Sequence, residues 1–155
     1  MAQMNGSFLS PKTRPVGLKN EGTFVVPARL LDRPVLVIED EAVIAWMLED
    51  VLETLGFADI MLAANADQAR SLAQSQAPGL IISDINLGVR SDDGIAAVSE
   101  IVAGETIPVL FITGNADTDA LDRIARGVPG ARLLRKPITP EELRHAVASL
   151  TEALH

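Results

Sequence analysis

From Val35 onward the chain alternates between two hydrophobic rhythms. Val35 to Ile38, Ile60 to Ala63, Leu80 to Ser83, Val109 to Ile112 and Ala131 to Leu134 are short, nearly unbroken apolar runs, the pattern of strands buried on both faces. After the first run, Ile44, Leu48, Val51, Leu52 and Leu55 recur at helical spacing, and Gly56 stops the stripe. Similar stretches begin near Asn65 and Gly94, and a weaker one covers Asp117 to Arg126. The last helix is the clearest: Thr139-Pro140-Glu141-Glu142 supplies a capping box with proline at the first helical position, and Leu143, Ala146, Val147, Leu150 and Leu154 share one face.

Strands of this kind alternating with helices predict an α/β fold, a flavodoxin-like doubly wound sheet of five parallel strands in the order 2-1-3-4-5 with helices on both faces. A chain of 155 residues has room for one core. Residues 1–33 follow a different pattern, with Pro11, Pro15, Pro27 and several glycines, and with Lys12, Arg14, Lys19, Arg29 and Arg33 outnumbering Glu21 and Asp32. They read as an N-terminal extension or linker arm to a domain spanning 34–155. Within the arm, Gly22 to Val26 could add a strand to an exposed sheet edge, in its own molecule or in a second copy, which would make a homodimer.

Composition narrows the function. Apolar residues make up 48% of the chain and aromatic ones 3%, so the core must be built from Leu, Ile, Val and Ala. There is no cysteine, which removes disulfides and thiolate metal sites and fits a cytoplasmic protein. No signal-peptide h-region or membrane-spanning apolar run is present, so no membrane partner is expected. A net charge of −8 with 13 scattered basic residues argues against nucleic acid as a partner.

In an open parallel sheet, ligands bind beyond the carboxyl ends of the strands where the strand order reverses, here between the first and third strands. The first strand ends in Glu39-Asp40 and the third in Asp84. Neighbouring strands lie ~4.8 Å apart, and two unit charges at ~5 Å repel by on the order of 3 kcal/mol at an effective dielectric of 20. A cation must sit among them. Lys136, after the fifth strand, is one, and an all-oxygen donor set also suits Mg²⁺.

Ile38-Glu39-Asp40, Ser83-Asp84-Ile85-Asn86, Asp93-Gly94, Phe111-Ile112-Thr113-Gly114 and Arg135-Lys136-Pro137 together resemble the signatures of response-regulator receiver domains, over essentially all of Pro34 to His155. The resemblance implies a single-domain response regulator of two-component signalling, not a conventional enzyme, in which Asp84 accepts a phosphoryl group from a histidine kinase or histidine phosphotransferase. It implies Mg²⁺ held by Asp40, Asp84 and the backbone carbonyl of Asn86, with Glu39 on metal-bound water. By the same resemblance Lys136 neutralises a phosphoryl oxygen, the Thr113 hydroxyl turns inward to meet that group, and the Lys136-Pro137 peptide is cis. Asn86 and Asn115 fall where receivers tune hydrolysis of the acyl phosphate. Output would pass to an unidentified downstream protein by contact or by phosphorelay.

Two features depart from the common pattern. Leu133 stands where many receivers carry an aromatic residue, and Phe111 to Ala116 resembles the F-A-T-G-x-aromatic stretch of a FATGUY-like subgroup, differing at Ile112 and Ala116. Trp46, the one tryptophan, falls on the polar side of the first helix beside Glu49, Asp50 and Glu53, where it would serve as a docking point for the kinase unless the basic arm covers it.

Duller readings compete with each assignment. Asp40 could cap a helix, Asp84 end a strand, Thr113 favour a strand, and Lys136 be a solvated charge. Jointly these readings require coincidence at neighbouring strand ends, whereas Asp93 and Gly94 are explained well enough as turn and helix-start residues. An aspartate-nucleophile phosphatase would need an Asp-x-Asp after the first strand, which Glu39-Asp40-Glu41 does not supply. A pseudo-receiver that binds partners without phosphorylation is the remaining alternative. His145 and His155 have no imidazole partner at ligand spacing and are read as solvated.

Overall fold

The computed structural model describes residues 25–87, 94–115 and 117–152. Its elements run α1 (Ala28–Leu31), β1 (Val35–Ile38), α2 (Ala42–Thr54), β2 (Ile60–Ala63), α3 (Ala66–Ser75), β3 (Leu80–Asp84), α4 (Gly94–Val102), β4 (Val109–Thr113), α5 (Thr118–Gly127), β5 (Arg132–Arg135) and α6 (Pro140–Glu152). The strands form one five-stranded sheet in the order β2-β1-β3-β4-β5, every pair parallel, which is the expected doubly wound topology.

Because side chains alternate across a strand, the three central strands bury residues into two separate cores. Leu36, Ile38, Ile81, Val109 and Phe111 face α3, α4 and α5. Val35, Val37, Leu80, Ile82, Leu110 and Ile112 face α2 and α6 through Leu48, Val51, Leu52, Leu143, Val147 and Leu150. Every residue of β1, β3 and β4 is buried, so their carboxyl ends are rigidly placed.

Helix ends follow local chemistry. Asn65 caps α3 by accepting from the Gln68 N–H at 2.9 Å, and Asp117 caps α5 by accepting from the Ala120 N–H at 2.9 Å. Thr139 and Glu142 form the reciprocal capping box of α6: the Thr139 N–H donates to Glu142 Oε1 at 2.9 Å and the Glu142 N–H to Thr139 Oγ1 at 3.1 Å. Gly56, at φ 107°, adopts the left-handed turn that releases the chain from α2.

One element was not expected. The four-residue α1 is too short to show a hydrophobic period, yet Val26 and Leu30 are buried in the same core as Val35. Of the segment 22–26, considered above as an added strand, Val26 packs into this core, and residues 22–24 lie outside the described ones. Residues 1–21, Asp93, Ala116, Leu154 and His155 also lie outside them. No helix among the described residues is long and apolar enough to cross a membrane.

Candidate functional site

Register determines which polar groups meet. Ile38 of β1 is level with Ser83 of β3, so Glu39 and Asp84, each one residue further along, come side by side. Asp84 is level with Ile112, and Thr113 with Arg135, which brings Thr113 and Lys136 to the same rim. Oxygen atoms of Glu39, Asp40 and Asp84 lie within 4.8 Å of one another; Glu39 and Asp84 are buried and Asp40 is exposed.

Lys136 is the cation of the cluster. Its Nζ lies 3.1 Å from Asp84 Oδ2, 3.5 Å from Glu39 Oε1 and 3.4 Å from Glu41 Oε1. Burial works against its charge, but the hydrogen bond and charge of Asp84, with help from Glu39 and Glu41, outweigh that and raise its pKa above the ordinary lysine value. The peptide that follows it, Lys136-Pro137, is cis.

Even with this ammonium, negative charge is in excess. Glu39 Oε2 accepts the Glu41 N–H at 3.2 Å, whereas the buried Oε1 has no hydrogen-bond partner among the described residues. Burial first, and the nearby Asp84 charge second, push the Glu39 carboxyl up to about 7. A buried carboxylate oxygen without a donor, among other oxygens, is a fit for a hard divalent cation such as Mg²⁺. Glu39, Asp40 and Asp84 are the residues that could hold it.

The end of β3 is held closely. The Asn86 N–H donates to Asp84 Oδ1 at 3.2 Å, fixing the other carboxylate oxygen. The Gly94 N–H donates to the Ile85 carbonyl at 2.8 Å, and a Cβ at Gly94 would come 2.0 Å from the Asp84 carbonyl oxygen and 2.5 Å from Ser83 Oγ. Gly94 starts α4 as expected, but it also allows this close approach, which a sequence pattern does not reveal. Ser83 is fully buried, and its hydroxyl donates to the Asp84 carbonyl at 2.8 Å.

Thr113 is fully buried, and its hydroxyl engages the next loop: it donates to the Asn115 carbonyl at 3.0 Å and lies 3.1 Å from the Asn115 N–H. The Lys136 N–H donates to the Thr113 carbonyl at 2.8 Å, tying the two strand ends together. Asn86 and Asn115 are exposed at the same rim. Trp46 is not part of this cluster. It is 63% exposed on the outer side of α2, and Val43, one turn earlier and 74% exposed, extends the apolar surface in a way the sequence pattern missed. Two surface hollows lie elsewhere, one of about 330 Å³ between α3 and α4 and one of about 580 Å³ along β5 and α6.

Comparison with known proteins agrees with this geometry. Residues 35–148 match the family model described as the response regulator receiver domain. The transcriptional regulatory protein PdtaR of Mycobacterium tuberculosis is 33% identical over 115 residues, covering 74% of this chain and 55% of that protein. The phyllosphere-induced regulator PhyR of Methylorubrum extorquens is 41% identical over 80 residues, 51% of this chain and 30% of that protein. The solution structure of the receiver domain of PhyR from Erythrobacter litoralis superposes with a TM-score of 0.62 at 33% identity, covering 76% of this chain and 88% of that one. The chain spans about half the length of PdtaR and less of PhyR. With the family model, the strand order and the acid and lysine rim in agreement, the chain belongs to the response-regulator receiver family of two-component systems.

Proposed function

We propose that this chain is a phosphorylatable receiver in which Asp84 accepts a phosphoryl group from a histidine kinase or histidine phosphotransferase, residues 34–155 being the accepting unit and 1–33 its extension. The observation that carries this reading is the contact of Asp84 with Lys136 at 3.1 Å, buried and flanked by Glu39 and Asp40. Receiver domains are signalling modules and typically bind Mg²⁺ in such an acidic pocket. Here Glu39, Asp40 and Asp84, with the Asn86 backbone, would hold it. When bound, Mg²⁺ supplies positive charge for the phosphoryl oxygens in a transfer that depends on positioning more than on proton chemistry.

The chain's own groups do the rest. An Asp84 carboxylate oxygen forms the new O–P bond as the P–N bond of phosphohistidine breaks and imidazole leaves with the electron pair. The Asn86 N–H and Lys136 orient that carboxylate beforehand. Lys136 then follows the negative charge onto the phosphoryl group, and Thr113, leaving its bonds to the Asn115 backbone, meets a further oxygen and frees the loop after β4. Trp46 and Val43 offer the kinase a docking surface on α2. Asn86 and Asn115 set how readily water reaches the acyl phosphate.

The test is phosphotransfer from candidate kinases and small phosphodonors to the wild type and to Asp84→Asn, with Mg²⁺ present or chelated. Label on the wild type that vanishes in Asp84→Asn and in chelator is expected. Undiminished label on Asp84→Asn, or none on folded wild type from any donor, overturns the reading. The likeness to PhyR keeps one second reading in play, partner binding without phosphorylation, which that last result would favour.

A further inference from the structure

Three carboxylates surround Lys136, and one of them has no part in the mechanism above. The side chain of Glu41 is 63% exposed, unlike those of Glu39 and Asp84, yet its Oε1 reaches to 3.4 Å from Lys136 Nζ. Glu41 occupies the N-cap position of α2 with extended backbone, φ −92° and ψ 113°, and its side chain makes no capping hydrogen bond. Capping is the ordinary use of an acidic residue at that position. Here the backbone N–H serves Glu39 while the carboxylate is turned to the ammonium.

We propose that Glu41 is a positioning residue that holds Lys136 on the solvent side of the rim and, through its charge, slows the capture of anionic phosphodonors by Asp84. The inference rests on the reading of Asp84 as the phosphoacceptor. An anionic donor approaching Asp84 must pass an exposed negative charge at the mouth of the site. The ammonium that must follow the phosphoryl group is also shared with that same charge until transfer occurs. With acetyl phosphate, an Asp84 oxygen forms its bond to phosphorus as the bond from phosphorus to the acetate oxygen breaks, and acetate leaves with the electron pair. Glu41 contributes no atom to this exchange. It acts by deciding where Lys136 rests and what potential the donor meets. The same charge favours a bound divalent cation, so Glu41 exchanges donor capture for metal affinity.

Glu41→Gln keeps the side-chain shape and the N–H to Glu39 and removes only the charge; Glu41→Asp keeps the charge. The full chain is phosphorylated at saturating Mg²⁺ with acetyl phosphate, a dianion, and with phosphoramidate, a monoanion. Glu41→Gln is expected to be faster by about two- to threefold per unit of donor charge at low ionic strength, the effect of one charge across ~7 Å of water-like dielectric. The gain is therefore larger for acetyl phosphate, and it fades in 1 M salt, where the screening length is about 3 Å. Glu41→Asp returns the rate towards wild type. In chelator, the Lys136 side-chain NMR resonances shift in Glu41→Gln; after the chelator is removed, calorimetry finds Mg²⁺ binding weakened by about four- to ninefold, the same effect acting on two charges.

A Glu41→Gln rate equal to wild type at low salt, or an acceleration that persists undiminished in 1 M salt, overturns the proposal. Unmoved Lys136 resonances do the same. A wild type whose Asp84 takes no phosphoryl group overturns the parent reading and this one with it. A wild type that does, beside an indistinguishable Glu41→Gln, overturns only the role of Glu41.

Discussion

Two clusters of ionised side chains in this molecule use the same chemistry in opposite surroundings. Arg70 of α3 pairs with Asp67 of its own helix at 3.2 Å and with Glu100 of α4, and the two acids are 86% and 64% exposed. Lys136 pairs with Asp84 and Glu39, whose side chains are 6% and 0% exposed, and with the outer Glu41. The first cluster is solvated, and surface pairs of that kind contribute roughly 0–1 kcal/mol. The second gathers more negative than positive charge where water cannot screen it, and leaves one buried oxygen without a donor. A fold selected for stability alone would not keep it. The difference teaches that the rim is held under electrostatic tension, which a divalent cation or a chemical reaction can relieve.

The sharpest way to break this contrast is to remove the ammonium. Lys136→Met leaves buried carboxylates facing one another and should destabilise the chelated protein by about 3–5 kcal/mol. Urea unfolding with and without Mg²⁺ measures it, and most of the loss should return with the metal. A loss below about 1 kcal/mol would place this cluster with the solvated kind.

Proton uptake offers a gentler probe. Burial and the Asp84 charge push the Glu39 carboxyl up to about 7 in the folded chain from its ordinary 4.5, so the folded state binds more protons between those values. Its contribution to stability is fully present below about pH 4.5 and is lost as pH rises through 7, up to about 3 kcal/mol for that difference. In chelator, Glu39→Gln should therefore stabilise the protein at pH 8 by about 2 kcal/mol and scarcely at all at pH 4.5. Denaturation series at the two values check the sign. A variant less stable than wild type at pH 8 would mean that Glu39 is not under strain.

The smallest effect belongs to the solvated cluster. Arg70→Ala should change stability by no more than about 1 kcal/mol and leave the phosphoryl acceptance proposed for Asp84 unchanged. A larger thermal shift would show that the α3–α4 tie carries more than a surface pair does.

How far the sequence foretold these two regions differs by element. The strand runs and the α6 capping box were legible because their signals are local: continuous apolar residues, and Thr139 with Glu142 three positions on. Helix α1 was not, since four residues hold barely one turn and its anchors, Val26 and Leu30, are recognisable only by what they pack against. At the rim, Asp84, Asp40, Thr113 and Lys136 could be singled out because they follow strand runs. Glu41 could not be separated from its acidic neighbours, and Gly94 passed for an ordinary helix start until its distance to the Asp84 carbonyl was known.

By itself, then, the order of apolar and polar residues determined five strands, their helices and a parallel sheet, because burial on both faces imposes a pattern on each segment separately. It also placed the reactive side-chain types at the ends of those segments. Only the tertiary structure decided which of them touch. The pairing of Ile38 with Ser83 and of Thr113 with Arg135 is a relation between distant segments, and a shift of one residue in either would turn a carboxylate or an ammonium to the other face. The burial that unsettles Glu39 and the reach of Glu41 to Lys136 arise from that register.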